Sequence, residues 1–263
     1  MKINFKVETA TPFELVDYCS LLTSKDVDEA KQLWQALYAD VIALREQQLS
    51  PPQRWHVFKQ LFYSQWQFSI ASDDYFSLPR NNLFSLMTDR KGNNSLITII
   101  INELLGLLDL ETRVVDFPGS LIIELVGDDG FFFDPLTGEQ LTNARMEVLL
   151  RGHLGDYHRL NEYHLVTATA DAIKKRYLVC IKQSCLLEKK FEQALYFSEL
   201  LLEIIPDDPQ QRMERGFVLQ QLECYEGALE DFSFFIDNCP DDPNSDVLKM
   251  HIKTLNQQTN IFH

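Results

Sequence analysis

Basic residues are in short supply, with 24 Lys plus Arg against 39 Asp plus Glu and a formal net charge of −15. That balance repels phosphate backbones and anionic lipid faces, so neither nucleic acid nor a membrane is an expected partner. Glycine and proline are scarce, at 10 each in 263 residues, while 45% of the residues are hydrophobic; collagen-like, low-complexity and largely disordered chains are excluded. There is no CxxC and no HExxH, so no metal site is expected, and nothing in the sequence calls for a cofactor. The longest apolar stretch, Leu96 to Ile101, is far shorter than the roughly 20 residues that span a bilayer. Five cysteines, Cys19, Cys180, Cys185, Cys224 and Cys239, form an odd and scattered set, and the chain opens without an apolar signal region. A reduced, cytoplasmic protein is the expectation.

What the sequence does have is an internal repeat. FEQALYFSELLLEIIPDDP from Phe191 aligns with YEGALEDFSFFIDNCPDDP from Tyr225 at an offset of 34 residues. Phe191 matches Tyr225, Ala194 matches Ala228, Leu195 matches Leu229 and Pro206 matches Pro240. This period, with an aromatic residue, then a small Ala, then Pro, resembles the tetratricopeptide (TPR) repeat. Each Asp-Asp-Pro is expected to start a helix, with Asp208 and Asp242 accepting backbone N–H bonds and Pro209 and Pro243 in the first turn. Gly216 occupies the small-residue position of the second repeat; its counterpart in the first is Lys182. A last helix near 245–255 is expected to cap the array.

The first part of the chain reads differently. Thr11-Pro12-Phe13-Glu14, Asp26 with Glu29, and Ser50-Pro51 mark three helix starts, the last running through RWHVFKQLFYSQWQFS with its aromatic residues in the core. SLITIIINELLGLL is apolar on almost every face, as in a helix buried all round, and TRVVDF, SLIIELV and FFFD are short strands separated by turn residues. A helix from about 143 to 150 follows. Helices leading into consecutive hairpins predict an α+β domain over 1–165 and an all-α repeat region over 166–263.

The string RKGNNSLITIIINELLGLLDLETRVVDFPGSLIIEL, then FFFDPLTGEQLT, then the repeat tail, is similar to the SirB-type family of bacterial proteins, in which a transglutaminase-like domain is joined to TPR repeats. The resemblance implies a papain-like α+β core whose buried helix carries a nucleophile position at its N-terminus, with His and Asp positions on the following strands. Such chemistry needs a thiolate, an imidazole and an orienting carboxylate. Here no histidine occurs between His56 and His153 and no cysteine between Cys19 and Cys180. The nucleophile position falls on Ser95 or on Asn94 beside it, the His position on Ser120, and only Asp134 keeps its identity. Serine without a base is a poor nucleophile, so Ser95, Ser120 and Asp134 form a degenerate triad, expected to cluster in space.

His153, His158 and His164 have spacings that match no metal pattern and read as a surface linker. In the TPR resemblance the groove is lined by the first helix of each repeat. That places Arg176, Val179, Gln183, Leu186 and Leu187, then Gln210, Met213, Phe217, Gln220 and Gln221, on the face for a protein or peptide partner. A basic clamp for a C-terminal carboxylate would need Lys and Asn where Val179, Gln183, Met213 and Phe217 stand. The expected protein is a non-catalytic interaction or regulatory protein, a pseudoenzyme carrying a TPR groove. The alternative is a residual hydrolase or acyltransferase acting on amide bonds through Ser95, with a base such as His153 or His158.

Overall fold

The computed structural model describes residues 27–70, 74–128 and 130–259. The helix start at Thr11–Glu14, Asp26 and Cys19 lie outside the described residues. The chain divides into two compact units between Tyr177 and Leu178.

In the first unit, α1 (Val27–Arg45) and α2 (Pro51–Lys59) precede a π-helical stretch, Gln60–Gln65. α2 starts as its sequence predicts, with Ser50 and Gln53 forming a capping box and Pro in the first turn. It does not continue as an α-helix through Ser69. The chain widens after Lys59, with Trp66 N–H donating to Leu61 O at 2.8 Å. This turn lets Phe62 meet Phe58 at 5.6 Å and stack on Phe68 at 4.5 Å between ring centroids. A two-residue parallel pair, β1 (Ser69–Ile70) with β2 (Lys91–Gly92), brackets α3 (Leu83–Asp89).

α4 (Asn94–Leu107) is the central helix, with every residue from Asn94 to Ile101 buried. It is followed by an antiparallel meander of β3 (Thr112–Phe117), β4 (Ser120–Leu125), β5 (Phe131–Phe133) and β6 (Gln140–Leu141). Period-two pleating sorts the side chains onto two faces. Val115, Phe117, Ile122 and Leu141 form a core with Met146 and Leu150 of α5 (Asn143–Leu154). On the opposite face Phe133 and Phe131 meet Trp55 of α2, at 4.5 Å and 5.8 Å between ring centroids, and α4 packs along β3 and β4.

α6 (Ala170–Leu187) begins in this unit, and its early residues explain why the division falls at 177 and not at 165. Arg176 is held by the Asp116 carboxylate and donates to Phe117 O at 2.6 Å, and the buried Tyr177 hydroxyl donates to Asn81 O at 2.8 Å.

The second unit continues with α7 (Phe191–Ile204), α8 (Pro209–Gln221), α9 (Tyr225–Asn238) and α10 (Pro243–Thr259). Asp208 caps α8 by accepting from Gln211 N–H at 3.1 Å, and Asp242 accepts from Asn244 N–H at 2.8 Å. Ala194 and Ala228 are fully buried, whereas the matched Phe191 and Tyr225 are half-buried. The core joins Met213, Ala228, Phe232, Phe235, Leu248 and Leu255.

Gly216 is required by close approach. A Cβ there would stand 2.6 Å from Phe232 Cε1 and 3.3 Å from Ala228 O, and the Phe232 ring is fully buried. Gly216→Val is therefore expected to destabilise the repeat unit by about 1–3 kcal/mol through overpacking. Urea unfolding followed by helical circular dichroism checks this; an unchanged midpoint would show that the helices can separate without cost.

Candidate functional site

The residues before α4 are polar yet buried, which requires that their hydrogen bonds be made inside the protein. Asn81 is 1% exposed, Asn82 2%, Asn93 0% and Asn94 6%. Asn82 caps α3, accepting from Phe84 N–H at 2.8 Å and Ser85 N–H at 3.2 Å. Asn93 caps α4, accepting from Leu96 N–H at 2.8 Å, while its amide nitrogen donates to Asn81 Oδ1.

Asn94 does something different. Its Nδ2 donates to Leu121 O at 3.0 Å, and its Oδ1 accepts from Leu121 N–H at 2.8 Å. β5 pairs with β4 only over Ile123 to Leu125, so the carboxamide takes the place of a third strand at Leu121, beyond the end of β5. The Asn94 backbone N–H donates to the Tyr75 hydroxyl at 3.2 Å. Helix N-terminus and strand are thus joined by a side chain that acts as a short piece of sheet.

The three triad positions are not joined in this way. Ser95 is 4% exposed on α4, and its hydroxyl has no hydrogen-bond partner among the described residues. Ser120 pairs with Phe117 across the hairpin and so shares the α5 face with Phe117 and Ile122, opposite the face on which α4 packs. Its hydroxyl likewise has no hydrogen-bond partner among the described residues. The Asp134 carboxylate accepts from Leu136 N–H at 2.8 Å, within its own turn. Burial raises its pKa, the Glu139 charge adds to the rise, and the Leu136 N–H and Arg145 oppose it.

Tyr63 stands over the same turn, its hydroxyl donating to Pro135 O at 2.8 Å and its ring against Gly138, where a Cβ would lie 2.4 Å from Tyr63 Cε2. Burial and the Asp134 charge raise the Tyr63 pKa. What hydrogen bonds join here is therefore Asn81 with Asn93 and Asn94 with Leu121, the neighbours of Ser95 and Ser120. The signal was in the two Asn-Asn pairs, 81–82 and 93–94, each ahead of an apolar helix.

His153 packs against Gly119, where an added Cβ would stand 3.1 Å from the imidazole. His158 and His164 lie in the segment after α5, where His158 Nδ1 meets Gly155 O and His164 Nδ1 accepts from Asn161 N–H. Among the described residues no group of three or more His, Cys, Asp or Glu side chains could hold a metal ion, and no helix is long and apolar enough to cross a membrane. The buried Cys185 thiol is pushed up to about 12, chiefly by desolvation, which keeps it protonated and inert.

In the repeat unit, Gln210 and Gln221 are exposed, Gln183 and Gln220 half-buried, and Phe217 is 43% exposed with its ring 4.8 Å from Phe232 and 5.9 Å from His251. Gln220 Oε1 lies 2.7 Å from His251 Nε2. Two expected groove residues are placed elsewhere. Met213 is buried in the core because the close approach at Gly216 draws that side of α8 inward, and Arg176 is tied to Asp116 in the first unit.

The sequence reading also missed two buried charges. Lys182 is 0% exposed where its repeat counterpart is glycine, and its ammonium reaches Gln211 Oε1 at 2.6 Å and the Glu214 carboxylate. Asp231, 1% exposed, holds Arg215 by two hydrogen bonds of 2.7 Å and 2.8 Å and meets Arg212 at 3.3 Å.

A buried helix leading into an antiparallel meander, followed by paired repeat helices, defines a transglutaminase-like unit joined to a TPR unit. Residues 28–179 match the model of the transglutaminase-like superfamily, and residues 181–253 match a tetratricopeptide repeat. UPF0162 protein BU173 of Buchnera aphidicola subsp. Acyrthosiphon pisum is 32% identical over 215 residues, covering 81% of this chain and 80% of that protein. Protein SirB1 of Salmonella typhimurium is 30% identical over 219 residues, 82% of this chain and 81% of its own. UPF0162 protein YchA of Escherichia coli is 29% identical over 205 residues, 77% and 76% of the two chains. No solved structure matches. The chain belongs to the SirB1/UPF0162 family of transglutaminase-like proteins.

The raised Asp134 pKa carries a sign. The folded state holds that proton to higher pH than the unfolded chain does, so the residue destabilises the fold increasingly as pH rises through and above the usual carboxylate range. Asp134→Asn keeps an acceptor for Leu136 N–H and removes the charge. It is expected to raise the melting temperature at neutral pH and to have no such effect well below the ordinary Asp pKa. A loss of stability at neutral pH would show that the carboxylate charge is itself stabilising.

Proposed function

We propose that this protein is a non-catalytic binding protein. Its transglutaminase-like unit serves as a scaffold and its TPR unit holds a polypeptide segment of a regulatory partner. The observation that carries the reading is the Asn94 clasp. The N-terminus of the buried helix, where an activated nucleophile would be held, spends its side chain on both backbone groups of Leu121. The stretch 57–152 contains neither cysteine nor histidine, so the helix and strands that carry the triad positions supply no thiolate or imidazole of their own, which supports the same reading.

On the TPR side, Gln183, Gln210, Phe217, Gln220 and Gln221 offer an aromatic ring among carboxamides, which suits the backbone of an extended peptide better than a charged terminus. The partner is read as protein, with no cofactor and a cytoplasmic setting.

Selection from a displayed peptide library by the full chain tests this. The expected result is a set of related peptides whose binding is lost with Phe217→Ala and Gln183→Ala and kept with Ser95→Ala. Amide hydrolysis or transamidation by the purified chain that disappears with Ser95→Ala would overturn the reading in favour of a residual hydrolase.

A further inference from the structure

The first unit has a concave feature that the Asn94 clasp does not line. It is a cavity of about 510 Å³ between the first turn of α2 and the β4–β5 hairpin, within the size range of ligand sites. Its apolar surface comes from Trp55, Leu110, Leu125, Val126 and Phe131 with the two prolines that open α2, and its charged groups are all carboxylates, those of Asp109, Glu111 and Asp128. Among the described residues no Lys, Arg or His lines it.

Asp109 already faces Arg54 at 3.7 Å, whereas Glu111 and Asp128 have no ion-pair partner among the described residues. These two are held on separate segments, Glu111 on the approach to β3 and Asp128 in the loop after β4, with the apolar surface also contributing to the cavity. Both carboxylates are exposed at the rim of the cavity, where they can meet cations that approach from solvent.

The geometry points to a docking site for a polypeptide segment of another protein in which an apolar, preferably aromatic, side chain is flanked by Lys or Arg. The apolar side chain enters beside Trp55 and Phe131, and the flanking cations meet Glu111 and Asp128. Carboxylates on two segments match a basic–apolar–basic triplet better than a single cation, which would leave one carboxylate unmatched. This site lies in the transglutaminase-like unit and is independent of the TPR groove.

The test titrates the full chain with acetyl-Lys-Phe-Lys amide, followed by the indole resonance of Trp55. The expected result is a shift of that resonance and binding about tenfold or more tighter than acetyl-Glu-Phe-Glu amide or acetyl-Lys-Gly-Lys amide. Glu111→Lys with Asp128→Lys, both at exposed positions, is expected to weaken binding about tenfold or more with an unchanged melting temperature, and Phe217→Ala to leave it intact. Equal binding of the acidic or the glycine peptide would overturn the proposal, as would indifference to the double charge reversal. Phenethylamine binding as tightly as the peptide would make this a small-amine site instead, and loss of binding with Phe217→Ala would place the peptide in the TPR groove.

Discussion

The contact on which the first unit depends is the pair of hydrogen bonds between the Asn94 carboxamide and the backbone of Leu121. β5 is only three residues long, so the start of β4 has no strand beside it on that edge. Leu121 is fully buried, and leaving its N–H and C=O unpaired would cost on the order of 1–3 kcal/mol for each group. The carboxamide supplies the donor and the acceptor together. Together with the Thr112 hydroxyl, which donates to Asn102 Oδ1 at 2.9 Å, it fixes the rotation of α4 against the meander. Asn93, Asn81 and the Tyr177 hydroxyl extend the same network to the start of α6.

A helix N-terminus favours a thiolate through its free N–H groups and dipole, and the transglutaminase-like architecture is suited to that use. In this chain groups at that end are committed to structure: Asn93 caps the helix, Asn94 N–H meets the Tyr75 hydroxyl, and the Asn94 carboxamide engages Leu121 through both its nitrogen and its oxygen. The repeat unit follows a related economy of polar groups. Lys182 stands where glycine stands one repeat later, and its charge is matched by Glu214 and Gln211. Asp231 is matched by two arginines. Buried pairs of this kind add little net stability, but they penalise any other register of the helices, since a slip would leave a charge alone in the core.

Much of this was legible in the sequence, and the parts that were legible share a cause. The 34-residue period, the paired Ala194 and Ala228 and the two Asp-Asp-Pro starts are local signals with local consequences, and the helices begin where they say. The Pro-Gly turn at 118–119 and the run of β-branched and aromatic residues gave the meander in the same way. The parts that were not legible depend on residues far apart in the chain. Asn94 reaches across 27 positions to Leu121, Lys182 reaches 29 to Gln211, and Arg176 reaches 60 to Asp116. No spacing rule announces such partners. Ser120 illustrates the limit: its place after Pro-Gly was clear, but the pleat decides which face it takes, and it shares the α5 face with Phe117 and Ile122. Met213 fell inside for a similar reason, since the depth of α8 is set by the contact of Gly216 with Phe232.

The most direct measurement of the central claim is hydrogen exchange at the Leu121 amide in the full chain and in Asn94→Ala. If the carboxamide acts as the missing strand, this amide exchanges as slowly as those of the α4 core in the native chain. Its protection then falls sharply in the variant, while the amides of β4 paired with β5 keep theirs. Fast exchange at Leu121 in the native chain, or protection there that is untouched by removal of the Asn94 side chain, would contradict the account and return the N-terminus of α4 to the list of possible reactive sites.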